Sequence, residues 1–95
     1  MKIEWSAAAL TDASRFAEFL AERHPAMASR VAVAIAARLE LLREFPSLGR
    51  PNPVRPECRE IVVAVLNARY IVEYRVRGET IFILRVFHGR EHREP

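Results

Sequence analysis

Three arginines and a histidine in the second half of this 95-residue chain stand where an otherwise apolar pattern opens, breaks or ends: Arg59, Arg85, His88 and Arg90. A guanidinium is a permanently charged planar fork that grips phosphates and carboxylates at two points, and an imidazole can move protons near neutral pH. Arg85 interrupts the run Ile81-Phe82-Ile83-Leu84-Arg85-Val86-Phe87, so it must find a carboxylate, carbonyl groups or an open cleft. Two readings stand side by side. Arg85 either forms a buried ion pair with Glu60 or Glu73 on a neighbouring strand, or joins Arg59 in a two-arginine clamp for an anion. His88-Gly89-Arg90 could bind phosphate or transfer protons; as an ordinary strand end it would be only a turn. Arg85 and His88 are three residues apart, so a regular strand points them to opposite faces unless it bulges. Arg59 and Glu60 could equally be an exposed pair of little energetic weight.

The elements that must position these residues follow from periodicity. Lys2-Ile3-Glu4-Trp5 alternates and reads as a short strand with Ile3 and Trp5 inward. Ser6 reads as an N-cap. Leu10, Ala13, Phe16, Ala17 and Leu20 then recur at helical spacing over residues 7–23, with Asp12, Arg15, Glu18 and Glu22 on the other side. His24-Pro25 stops that helix and starts a second, striped by Val31, Ile35, Leu39, Leu42 and Phe45 and rich in alanine. Pro46 ends the helical hairpin. Residues 46–56 contain four of the six prolines and form a stiff loop in which Arg50 is expected to cap a helix end. From Cys58 the period becomes two. Arg59, Ile61, Val63 and Val65 share one strand face, Tyr70, Val72, Tyr74 and Val76 the next, and Ile81, Ile83 and Phe87 a third. The short connections at Leu66-Asn67-Ala68 and Arg77-Gly78-Glu79 are hairpins. The last strand, apolar on both faces, is expected inside the sheet. The chain is therefore one α+β domain of order β-α-α-β-β-β, an antiparallel sheet with a helical hairpin on one face, and the open face is where function is sought. The place of residues 2–5 in the sheet is left open.

Composition narrows the classes. Half of the residues are hydrophobic, which suits one folded core and not a disordered tail. One cysteine, Cys58, permits no internal disulfide, and with scattered histidines it gives no metal-ligand set; no metal or cofactor is expected. The N-terminus lacks a signal-peptide pattern and no apolar run is long enough to span a membrane, so the expected location is the cytoplasm. Residues 1–45 balance six basic against six acidic side chains, whereas residues 46–95 carry nine arginines against six glutamates. That excess makes a polyanion or an acidic protein the natural partner, although solvated surface arginines would look the same.

Trp5, the two helices, the helix end Phe45-Pro46-Ser47-Leu48-Gly49-Arg50-Pro51, the strand start Cys58-Arg59-Glu60-Ile61-Val62-Val63, Tyr70 and Tyr74, and the close Ile83-Leu84-Arg85-Val86-Phe87-His88-Gly89-Arg90 together resemble toxins of the RelE/ParE family. The likeness runs in order along nearly the whole chain. It implies a toxin neutralised by a cognate antitoxin, whose flexible segment wraps it and through which alone the pair reaches operator DNA. An apolar hairpin beside an arginine-rich sheet suits a disordered, acidic, amphipathic partner segment. RelE-like members cut messenger RNA on the ribosome without metal; by position Arg59 and Arg85 would resemble the phosphate-stabilising arginines and His88 the proton-transfer residue. The chain lacks the tyrosine that many such nucleases carry after the last strand. ParE-like members inhibit DNA gyrase, and the closing His-Gly-Arg without that tyrosine resembles this branch more closely. On that reading Arg59, Arg85, His88, Arg90 and the tail to Pro95 are binding determinants and not catalysts. A third possibility is a relic that binds antitoxin without toxicity.

Overall fold

The computed structural model describes residues 1–90. A short strand, β1 (Lys2–Trp5), leads into the antiparallel helices α1 (Ala7–Arg23) and α2 (Pro25–Glu44). Four strands follow: β2 (Arg50–Pro51), β3 (Arg59–Val65), β4 (Ala68–Arg77) and β5 (Thr80–His88). The sheet order is β1-β5-β4-β3-β2. β3, β4 and β5 form the expected antiparallel meander, and β5 is interior, between β4 and β1. The sheet is mixed and not wholly antiparallel, because β1 runs parallel to β5 with Lys2 opposite Thr80 and Trp5 opposite Ile83. The two helices carry the chain from β1 at one edge to β2 at the other, and the meander then brings β5 back beside β1, a long connection that a parallel pair requires. Part of the proline loop also joins the sheet, where Arg50 and Pro51 pair with Glu60 and Arg59.

The ends of α1 follow local chemistry. The Ser6 hydroxyl accepts the Ala9 N–H at 3.0 Å and donates to the Leu84 carbonyl at 2.8 Å, so one side chain caps the helix and fixes it to β5. Pro25 opens α2 at a position that needs no N–H. The buried stripe of α1 is Ala9, Asp12 and Leu20, with Phe16 half-buried, rotated from the expected one: Leu10 is 54% exposed and Asp12 only 3%. In α2 the stripe holds at Val31, Leu39 and Leu42, whereas Phe45 lies at the C-cap and is exposed.

Both helices pack on one face of the sheet, against Ile61, Val63, Tyr70, Val72, Tyr74, Ile81, Ile83 and Val86. Burying each such side chain stabilises the fold by about 1.5–3 kcal/mol relative to exposure. Residue 84 is an extra residue in β5: Tyr74 pairs with Ile83, but Glu73 pairs with Arg85. This bulge reverses the alternation, so Val86 and not Phe87 continues the inward row of Ile81 and Ile83. At the β4–β5 turn Gly78 has φ 59°; at the β3–β4 turn a leucine, Leu66, has φ 54°, a conformation disfavoured for a side chain with Cβ.

Candidate functional site

The bulge decides what Arg85 can reach. Beyond Trp5, β1 ends and α1 lies along the edge of β5, where the Val86 N–H would face no strand partner. Asp12 of α1 fills that position. Its Oδ2 accepts the Val86 N–H at 2.9 Å and Arg85 Nε at 2.8 Å, while Oδ1 accepts Arg85 Nη2 at 3.1 Å. Arg15 stands 3.7 Å from the same carboxylate. Burial by itself would push the Asp12 carboxyl up; the hydrogen bonds from Arg85 and Val86 and the charges of Arg85 and Arg15 outweigh it and hold it below its ordinary value. The expected partners of Arg85, Glu60 and Glu73, are thus replaced by an acid from a helix. The Arg85 side chain stays 43% exposed, with its guanidinium 5.1 Å from the Phe87 ring.

Glu60 and Glu73 are instead a cross-strand pair on the open face, 2% and 1% exposed. The proline loop satisfies them. Asn52 Nδ2 donates to Glu73 at 3.0 Å and, more weakly, to Glu60 at 3.5 Å; Arg55 binds both Glu73 oxygens at 3.0 and 2.8 Å; Arg50 binds Glu60 at 3.2 and 3.0 Å. Asn52 Oδ1 accepts the N–H groups of Val54 and Arg55, which shapes the loop as an Asx turn. Arg50 is therefore a carboxylate partner and not a helix cap. The sequence hinted at this network only by placing two glutamates inside strands, where an acid needs a partner.

The residue that secures the end of α2 is Arg59, whose Nη1 donates to the carbonyls of Gly49 at 2.6 Å and Ser47 at 3.3 Å. Beside it the Tyr74 hydroxyl donates to the Pro46 carbonyl at 2.7 Å and accepts the Gly49 N–H at 2.9 Å. A Cβ on Gly49 would lie 2.7 Å from the Tyr74 ring and 2.8 Å from the Glu60 carbonyl oxygen, so only glycine fits. Burial pushes the Tyr74 hydroxyl up, against the opposing Gly49 N–H and Arg59 charge. Arg59 pairs in register with inward-facing Tyr74, whereas Arg85 pairs with outward-facing Glu73. The two arginines do not form a clamp.

His88 is on the helix side, opposite Tyr70 in the ladder, with ring centroids 5.3 Å apart and Phe16 6.4 Å away. It is separated from Arg85 by the face of the sheet, as regular parity requires. His88 and Arg90 border an open groove of about 750 Å³ whose other walls include Phe16, Phe19, Leu20 and His24. A second groove, about 450 Å³ and mainly apolar, lies between the helices and β1, along Trp5, Phe16, Leu20, Val31 and Ile35. The Arg90 side chain is exposed, and its backbone N–H meets His88 Nδ1 at 3.1 Å. The tail expectation for residues 91–95 lies outside the described residues. Burial raises the Cys58 thiol, so it is not primed as a nucleophile. No described helix is long and apolar enough to cross a membrane.

Comparison with known proteins agrees in fold and in sequence. The family described as the ParE toxin of the type II toxin–antitoxin system, parDE, matches residues 3–93. Toxin RelE1 of Caulobacter vibrioides is 36% identical over 88 residues, covering 93% of this chain and 92% of its own. The putative toxin Y4kP of Sinorhizobium fredii is 30% identical over 90 residues, covering 95% and 90%. Among solved structures, a chain of the chromosomal ParDE system from P. aeruginosa superposes with a TM-score of 0.72 at 21% identity, covering 93% of this chain and 95% of that one.

Proposed function

The chain belongs to the ParE toxin family, within the RelE/ParE superfamily of type II toxin–antitoxin toxins, and from that premise we propose that it is a ParE-like inhibitor of DNA gyrase, held inactive by its cognate antitoxin. The observation that carries this reading is the dispersal of the residues an RNA-cleaving toxin would need together. Cleavage by a ribose 2′-hydroxyl requires a base, an acid and cations converging on one phosphate, with donors roughly 3 Å from the charged oxygens. Here Arg59 is bound to the Ser47 and Gly49 carbonyls, Arg85 is clasped by Asp12, and His88 packs edge-to-face with Tyr70 on the opposite side of the sheet from Arg85. These contacts suit side chains that shape a binding surface.

The antitoxin reading draws on the two grooves that flank Phe16 and Leu20. Their apolar walls, with Arg15, His24, His88 and Arg90 around the larger one, fit an acidic amphipathic segment. The alternative, a ribosome-dependent messenger RNA nuclease, is favoured by one observation: curated relatives of this chain carry the name RelE. A relic that only binds antitoxin is the third outcome.

The test is induction of the chain alone in a bacterium, with growth, DNA-damage response and message integrity scored together, followed by supercoiling and translation assays on purified protein. Growth arrest with DNA damage and intact messages is expected. Early message cleavage without damage would make the protein a nuclease, and normal growth with folded protein would make it a relic. His88→Ala should weaken gyrase inhibition without abolishing it; its complete loss together with lost RNA cleavage would restore His88 as a proton-transfer residue.

A further inference from the structure

The face of the sheet opposite the helices has its own charge pattern. Along β4 the residues that alternate with the inward Tyr70, Val72, Tyr74 and Val76 are Arg69, Ile71, Glu73, Arg75 and Arg77. Glu73 is buried beneath Arg55, and its neighbour Glu60 beneath Arg50, so the outer layer over both acids is arginine. Glu4, at the far edge, is paired with Lys2. The side chains of Arg69, Arg75 and Arg77 make no hydrogen bond or ion pair among the described residues. They span nine residues of one strand, eight steps or roughly 27 Å at about 3.4 Å per step. Next to them is a hollow bordered by Arg38, Arg50 and Arg69, and the Arg38 Nε is a buried donor without a partner among the described residues.

We propose that this open face binds duplex DNA directly, with Arg69, Arg75 and Arg77 as ligands of the phosphate backbone. A row of like charges on one rigid strand complements a polymer that repeats its charge regularly. An acidic peptide would need apolar anchoring as well, and the deep apolar grooves of this protein lie on the helix side. The open face offers shallow, half-exposed Phe82, Leu84 and Phe87 and a polar hollow, which suit a partner that brings charge without apolar side chains. The inference deepens the gyrase reading, because gyrase works on a duplex that an inhibitor could grip together with the enzyme. DNA contact would then belong to the toxin itself, in addition to the operator contact supplied by an antitoxin.

The purified toxin is titrated into a short fluorescein-labelled DNA duplex, followed by anisotropy at several salt concentrations, beside an RNA duplex of the same length. Arg75→Glu and the double variant Arg75→Glu/Arg77→Glu are compared with Arg30→Glu, an equal charge change at an exposed position on α2. Wild type and Arg30→Glu should bind DNA, with affinity falling steeply as salt rises. The double variant, with an unchanged circular dichroism spectrum, should bind roughly tenfold or more weakly and lose about 1.8 from the log–log salt slope, about 0.9 per phosphate contact. Absence of duplex binding at low salt, equal losses in Arg30→Glu and Arg75→Glu, or tenfold tighter RNA binding would overturn the inference. A supercoiling assay on the same samples separates the two ideas. Gyrase inhibition without DNA binding sinks this surface and spares the gyrase reading, whereas arginine-dependent DNA binding without inhibition does the reverse.

Discussion

Replacing Asp12 tests whether one helical carboxylate holds the edge of β5. In Asp12→Ala the Val86 N–H loses its partner in a buried setting, which costs about 1–3 kcal/mol. Loss of the Arg85 pair adds about 1 kcal/mol or less, because that guanidinium is 43% exposed and can be rehydrated. The expected destabilisation is about 1–4 kcal/mol. Asp12→Asn keeps a carbonyl oxygen for Val86 and loses mainly the charge, so it should cost about half as much. Urea unfolding gives both values, and unchanged m-values would confirm that compactness is unaltered. In thermal unfolding the alanine variant should melt roughly 4 °C or more below wild type, given about 4–8 °C per kcal/mol for a domain of this size.

The same carboxylate predicts a pH dependence. Its folded pKa is depressed, so its stabilisation is fully present above the ordinary carboxyl value of 3.8 and is lost as pH falls through the lower folded value. Wild type should therefore lose stability more steeply than Asp12→Asn below about pH 5, and the two curves should converge in strong acid. Equal losses in the alanine and asparagine variants, or identical acid limbs for wild type and Asp12→Asn, would refute the assigned contacts.

Three further substitutions probe the other supports. Tyr74→Phe removes the acceptor for the Gly49 N–H and the donor to the Pro46 carbonyl; chemical denaturation should show a loss of about 1–3 kcal/mol. Asn52→Ala removes the donor between Glu60 and Glu73 and the Asx turn, so it should destabilise by at least about 1 kcal/mol and raise amide exchange at Val54 and Arg55. Leu66→Gly should raise stability by up to about 1 kcal/mol, because a left-handed conformation costs a side chain with Cβ roughly 1–2 kcal/mol; a lower melting temperature would show that the leucine makes a compensating contact.

Much of the frame was legible because each element announces itself locally. Ser6 caps α1, Pro25 opens α2, and the period-two alternation of β3 and β4 carries through without interruption. Tertiary partners were less legible. The stripe of α1 was placed on Leu10 because leucine is apolar and aspartate is not; yet Ala9, Asp12, Phe16 and Leu20 also follow helical spacing, and an edge N–H on β5 makes the aspartate the inward residue. Strict alternation likewise put Phe87 inward, and the bulge at residue 84 gives that place to Val86. No local pattern signals a bulge whose carbonyl is taken by Ser6, 78 residues earlier in the chain. The parallel pairing of β1 and the capture of Glu60 and Glu73 by the proline loop are long-range for the same reason.

Strand parity now links stability to the candidate surfaces. A one-residue slip of β4 would send Tyr70, Val72 and Tyr74 outward and Arg69, Arg75 and Arg77 into the core, so the arginine row exists only in the observed register. Three devices pin that register from different sides. Asp12 and Ser6 fasten β5 and its bulge to α1, Tyr74 ties β4 to the turn after α2, and Asn52 ties the proline loop to both buried glutamates. Arg85 and His88 leave the same strand on opposite faces by regular parity, and the bulge that Ser6 fastens just before them sets which face each one takes. The polar residues that hold this fold together therefore also decide which surface each arginine and histidine can serve.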